Sequence, residues 1–192
     1  MITEDPRSIK IPVIRVSQKI GEFYSGTISS QDLVNISDFD VRRITKGEGL
    51  ETYLGIQREL SKTRVKEIRQ YLKGPDATFP TAVVLAVSER CASLTKVCEE
   101  LNSHFWLTLS NFIDEEDPEN SILYRQIARV IDGQHRIEGL RNYDGPNFEI
   151  NVSVFVGADI PDQATIFSVV NLAQTKVNRS LVYDLFDLAK SR

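Results

Sequence analysis

The sequence predicts an α/β domain, a mixed β-sheet flanked by helices. Three stretches carry that prediction. Residues 81–87 read TAVVLAV, a continuous apolar run of strand length, the pattern of a strand covered on both faces. Residues 61–73 place Val65, Ile68, Tyr71 and Leu72 on one side at helical spacing. From Ala128 to Tyr143, β-forming residues run into Asp132-Gly133. Ile137, Leu140 and Tyr143 then recur at helical spacing, which reads as strand, tight turn and helix.

In chain order, residues 1–10 read as an N-terminal arm and residues 11–192 as a single domain. Residues 11–16 (IPVIRV) predict a strand. Residues 22–28 (EFYSGTI) predict a second one, interrupted at Gly26. A weak helix or turn begins at Ser30, and the stretch from Asn35 to Arg43 is ambiguous. Gly47-Glu48-Gly49 reads as a flexible loop. The helix at 61–73 has Ser61 as N-cap, and Gly74-Pro75-Asp76 stops it.

Beyond the apolar strand the patterning weakens. Residues 94–102 (LTKVCEELN) read as a helix or an irregular connection, and residues 104–110 (HFWLTLS) alternate as a strand does. His104, beside Phe105 and Trp106, reads as structural. Residues 114–119 (DEEDPE) form an acidic loop that would repel nucleic acid, so a DNA face is expected elsewhere. Asp144-Gly145-Pro146 makes a turn before a strand at 148–157. Pro161 opens a helix, on which Ala164, Phe167, Val170 and Asn171 follow at helical spacing. Ser180 caps a last helix, and the chain ends in mid-pattern.

The totals bound the class. With 192 residues, 41% hydrophobic and 26% charged, the chain suits one substantial soluble domain with its own core. A net charge of -4 argues against coating the whole surface with nucleic acid but permits a local basic patch. Cys91 and Cys98 match no common zinc spacing and imply no disulfide framework, so reduced thiols in the cytoplasm are expected. The acidic, polar N-terminus does not read as a signal peptide, and no apolar run is long enough to span a membrane.

The polar cluster at Asp132–Arg136 is where chemistry is expected. Gly133 is the pivot, since only glycine takes left-handed angles without a Cβ penalty. A turn of this kind offers backbone N–H groups and an arginine to an anion such as phosphate. Asp132 would hold a divalent cation or cap the helix. Arg136 would grip phosphate or merely pair with Glu138 or another surface acid. His135, one of two histidines, is undecided from spacing alone. The helix at 61–73 is basic over most of its remaining surface through Lys62, Arg64, Lys66, Arg69 and Lys73. That surface is a solvated amphipathic face or a phosphate-backbone contact.

The five residues Asp132-Gly133-Gln134-His135-Arg136 resemble the signature of the DGQHR-domain family. That family includes the DndB-like proteins encoded with bacterial DNA phosphorothioation (sulfur modification) systems. The strand before the motif and the helix-opening Ile137-Glu138-Gly139-Leu140 after it fit the likeness, which extends from about Val13 to the end of the chain. The resemblance implies a distant branch of the ParB/sulfiredoxin-like fold, in which a comparable turn binds nucleotide phosphates or DNA. It also implies two further walls of the site. Gln57 and Arg58 match a recurring Gln-Arg pair, although Arg58 would equally suit a surface ion pair with Glu51 or Glu59. Asn171, Gln174 and Lys176 match an Asn-x-x-Gln segment after the last strand. Relatives are commonly longer, so the chain is expected to be a short member or to lack a C-terminal half.

Three functions follow as alternatives. In the first, Asp132 positions Mg2+ or water, Gln134 and His135 orient the attacking water or the nucleotide, and Gly133, Arg136, Gln57, Arg58, Asn171 and Gln174 hold phosphate. That is an NTPase or nuclease of a DNA-modification or phage-defence system, without the P-loop pattern. In the second, the fold is a DNA-binding regulator with Lys62, Arg64, Lys66 and Arg69 on the phosphate backbone, which the DndB-like resemblance favours. In the third, the polar junction only braces an interaction module. DNA or a nucleotide, together with other proteins of a DNA-modification cluster, are the partners the resemblance implies.

Overall fold

The computed structural model describes residues 6–37 and 60–172. In chain order the elements are β1 (Ser8–Gln18), β2 (Gly21–Ser29), α1 (Ser30–Ile36), α2 (Lys62–Tyr71), β3 (Val83–Val87), β4 (Ala92–Lys96), β5 (His104–Ser110), β6 (Ala128–Asp132), α3 (Gln134–Leu140), β7 (Glu149–Val156) and α4 (Ile160–Leu172). The seven strands form one sheet in the order β4-β5-β1-β2-β7-β3-β6. The β3–β7 pair is parallel, whereas β1–β2, β1–β5, β2–β7, β3–β6 and β4–β5 are antiparallel. The sheet is therefore mixed, as the sequence predicts.

β3 explains its own composition. Val83, Leu85 and Val87 point into the larger core with Leu33 and Ile36 of α1, Ile137 and Leu140 of α3, and Leu72 just beyond α2. Val84 and Ala86 point the other way, toward Ile131, Phe155 and Ile166 of α4. Helices thus cover both faces, all five residues of the strand are buried, and no position is left for a polar side chain.

Several elements depart from expectation. β1 begins at Ser8, inside the stretch read as an arm. Gly26 does not interrupt β2: a Cβ there would stand 2.5 Å from the Pro12 carbonyl oxygen, so glycine is what allows the neighbouring strand to lie so close. Residues 94–96 are strand rather than helix, because β4 pairs with β5 as an edge strand. Its exposed residues show no periodicity that could have marked it. Tyr143 lies beyond α3 and packs its ring edge-on against Phe148, 6.0 Å between centroids.

Local chemistry sets the helix starts. Ser61 caps α2, its hydroxyl accepting the Arg64 N–H at 3.3 Å. Ser29 caps α1 through Asp32 N–H at 3.0 Å. Asp159 takes the same role before α4, accepting Asp162 N–H at 2.8 Å. Gly133 precedes α3 with φ +97°, and a Cβ there would meet Val83 Cγ2 at 2.9 Å. Both conformation and space demand glycine at that point.

Candidate functional site

A cavity of about 710 Å3 opens where β6 turns into α3. Asp132, Gly133, Gln134, His135 and Arg136 all line it. So do Arg64 from α2, Thr81 and Ala82 from the approach to β3, and Asn171 from the last turn of α4. Residues from four separate segments thus converge, and Arg64, expected only on a DNA-facing helix, is part of the cavity wall. Gln57, Arg58, Gln174 and Lys176 lie outside the described residues. The predicted helix beginning at Ser180 does too.

Arg136 is committed to the protein. Its Nη1 donates to the Thr81 carbonyl and, at 3.0 Å, to Thr81 Oγ1. Its Nη2 donates to the Ala82 carbonyl at 3.0 Å and meets Asp132 Oδ2 at 3.5 Å. The side chain is 16% exposed. Burial pushes the guanidinium below its ordinary pKa and Arg64 adds to this, while Asp132 opposes it; an arginine remains charged regardless. Asp132 does not cap α3, whose cap Gly133 has no side-chain hydrogen bond. It instead faces Arg136 one turn along the chain. Of the acids open to Arg136 in the sequence, Asp132 and not Glu138 is the one it meets. Glu138 is taken by Arg69 at 3.2 Å and by Arg141 at 2.8 Å.

His135 Nε2 accepts the backbone N–H of Ser61 at 3.1 Å. An amide can only donate, so Nε2 is unprotonated and a neutral ring carries its proton on Nδ1. Asn171 donates its Nδ2 to the Phe167 carbonyl at 2.7 Å, leaving Oδ1 as the acceptor it offers a ligand. Arg64 is exposed and has no ion pair among the described residues. The charged side chains at the wall are then the guanidiniums of Arg64 and Arg136 against the carboxylate of Asp132, an excess of positive charge. Among the described residues no three His, Cys, Asp or Glu side chains gather to hold a metal ion. A cation at Asp132 would take its remaining ligands from water or from a bound phosphate.

Lys62, Lys66, Arg69 and Lys73 fall on one side of α2 and its extension, at a spacing of about one turn each, and all are exposed. Arg64 lies across the buried stripe from them, beside Ile68 at the cavity. Arg69 is not free, since its Nη2 also donates to the Glu138 carbonyl at 3.2 Å. The α2–α3 contact is close: a Cβ on Gly139 would overlap the Ile68 side chain.

Sequence reasoning does not single out Thr81 and Ala82. Their signal is faint: two small residues at the start of an apolar strand, whose carbonyls matter only because an arginine from a remote segment reaches them. Among the described residues no helix is long and apolar enough to cross a membrane. Compared with known proteins, residues 11–191 match the family model of DndB, described as DNA-sulfur modification-associated. No curated protein and no solved structure matches the chain.

Proposed function

The chain belongs to the DndB family of DNA-sulfur modification-associated proteins, and from that premise we propose that it is a DNA-binding regulator of DNA phosphorothioation, acting in the cytoplasm beside other proteins of the modification cluster. One observation carries the reading. From Lys62 to Lys73, five cationic side chains, Lys62, Arg64, Lys66, Arg69 and Lys73, are exposed, and Glu67 is the single acid among them. On a chain of net charge -4 this is a local reversal of sign, of the kind that neutralises DNA phosphates.

The test is DNA binding by fluorescence anisotropy over a salt series, on wild type and on the Lys62→Ala/Lys66→Ala/Lys73→Ala protein. Binding should weaken by a similar factor on unrelated duplexes, and the log–log salt slope should flatten by about 0.9 for each phosphate no longer neutralised. Unchanged affinity and slope would return α2 to a solvated face.

A second reading is supported by the cavity. Its size of about 710 Å3 and its positive excess suit a nucleotide with Mg2+, and Asp132 is the carboxylate that would meet the ion, as in an NTPase or nuclease. A thermal-shift panel of nucleotides with Mg2+ separates the two, because only a ligand of the native state raises Tm. Silence in both assays would favour an interaction module braced by its polar junction. The likeness to ParB and sulfiredoxin rests on the motif and belongs with this second reading.

A further inference from the structure

A second cavity, of about 480 Å3, lies at the opposite end of β3. It opens beyond Val87 and beside Gly157, the carboxyl ends of the two strands that run parallel. In α/β sheets that end is where loops diverge and ligands bind. The cavity at Asp132 instead opens at the amino end of β3. Both cavities touch α4, one through Gln163 in its first turns and the other through Asn171 in its last. Eight residues separate these, about 12 Å of helix.

Two unsatisfied groups of complementary type line this second cavity. Arg129, on β6, is half-buried, and its guanidinium has no ion pair or hydrogen bond among the described residues. Gln163 is only 9% exposed. Its Nε2 donates to the Ala158 carbonyl at 2.8 Å, which fixes the amide orientation, since the flipped amide would set oxygen against oxygen. Oε1 is left buried with no donor among the described residues. A buried acceptor without a partner costs stability, and a half-buried guanidinium without a counterion is open to an anion. Their neighbours do not relieve them. Arg90 and Glu89 also line the cavity, but Arg90 is engaged elsewhere, 5.2 Å over the Phe112 ring and donating to Asn120 Oδ1 at 3.0 Å. Glu89 stands over Gly157, where a Cβ would meet its carboxylate at 2.5 Å.

We propose that this cavity is a second ligand site, taking a nucleoside monophosphate whose phosphate pairs with Arg129 and whose base offers an amino or imino N–H to Gln163 Oε1. The site is independent of the DNA reading of α2 and of the cavity at Asp132. Its two halves explain each other. Arg129 alone would accept any small anion, whereas the fixed acceptor of Gln163 demands a donor on the same molecule. Inorganic phosphate should therefore bind far more weakly than the nucleotide.

The experiment is isothermal titration of the full chain with GMP, AMP and CMP, each of which carries both groups, and with inorganic phosphate. At least one nucleotide should bind saturably. Arg129→Gln should weaken it at least ten-fold, Gln163→Met should weaken it too, and Arg64→Ala, at the other cavity, should leave it unchanged. Because Arg129 has no side-chain partner to lose among the described residues, Arg129→Gln should keep Tm, and it decides the matter even if Gln163→Met folds poorly. No saturable nucleotide binding would overturn the proposal. So would phosphate binding as tightly as the nucleotide, or loss of binding in Arg64→Ala with Arg129→Gln unaffected.

Discussion

His135 accepts the backbone N–H of Ser61 through Nε2 at 3.1 Å, so the histidine of the polar turn holds the cap residue of the basic helix. The cavity and α2 are thereby one mechanical unit. Ser61 in turn caps α2 through Arg64 N–H, and Arg64 stands in the cavity wall. His135→Ala should cost roughly 0.5–1.5 kcal/mol, the net worth of one hydrogen bond, and hydrogen exchange should quicken at the start of α2 before anywhere else. Unaltered exchange there would mean that the contact does not hold the helix.

Arg136 ties α3 to the approach of β3. Arg136→Ala should lower stability by about 2–4 kcal/mol, since it strands the Thr81 and Ala82 carbonyls and leaves Asp132 without its cation. Arg136→Lys should recover little of this, because a point charge cannot reach both carbonyls as the planar fork does. Urea denaturation of the two variants checks it. A loss below about 0.5 kcal/mol would sink the brace and return Arg136 to the candidate ligand groups.

Gly139 is a packing residue. Gly139→Ala should destabilise by roughly 1–3 kcal/mol, because the new methyl overlaps Ile68. Combining it with Ile68→Ala, which removes the Cγ2 that the new methyl meets, should cost less than the sum of the two single changes, as neighbours in one contact do not add. Additive losses in thermal or urea melts would show that the helices simply move apart.

Asp114 anchors the acidic loop. The Asp117 N–H, the Asn120 side chain and the Glu116 N–H all donate to it and hold its carboxyl below the ordinary 3.8. A depressed carboxylate stabilises the fold above the unfolded-state value, and that contribution disappears as pH falls through the folded one. Asp114→Asn should therefore narrow the stability gap to wild type as pH drops below about 4. A gap that stays constant through acid would exclude the linkage.

The two thiols should differ in reactivity. Cys91 is fully buried and burial raises its pKa, so it stays neutral, while Cys98 is partly exposed. Iodoacetamide on the native protein should modify Cys98 first, with Cys91 reacting only after unfolding. Mass spectrometry of the early adducts decides this, and equal labelling would mean that the core opens readily around Cys91.

Sequence alone settles what is local. The apolar run of β3, the Ser61 cap and the left-handed turn at Gly133 each follow from a few neighbouring residues, so the strand, the start of α2 and the strand-turn-helix are legible. The family is legible for a related reason, since the five residues 132–136 are contiguous. β4 is not, because an exposed edge strand owes its conformation to β5 alone and needs no hydrophobic alternation. What the polar residues do is set by the tertiary structure. Arg136 reads as a phosphate grip in the sequence because its partners, the Thr81 and Ala82 carbonyls, are backbone atoms that carry no sequence signal. Arg64 reaches the cavity because α2 packs on Gly139, and Arg129 shares a cavity with Gln163 because α4 starts near the carboxyl end of β3. A side chain's identity states which bonds it can make. Which of them it does make depends on what the fold brings within about 3 Å of it.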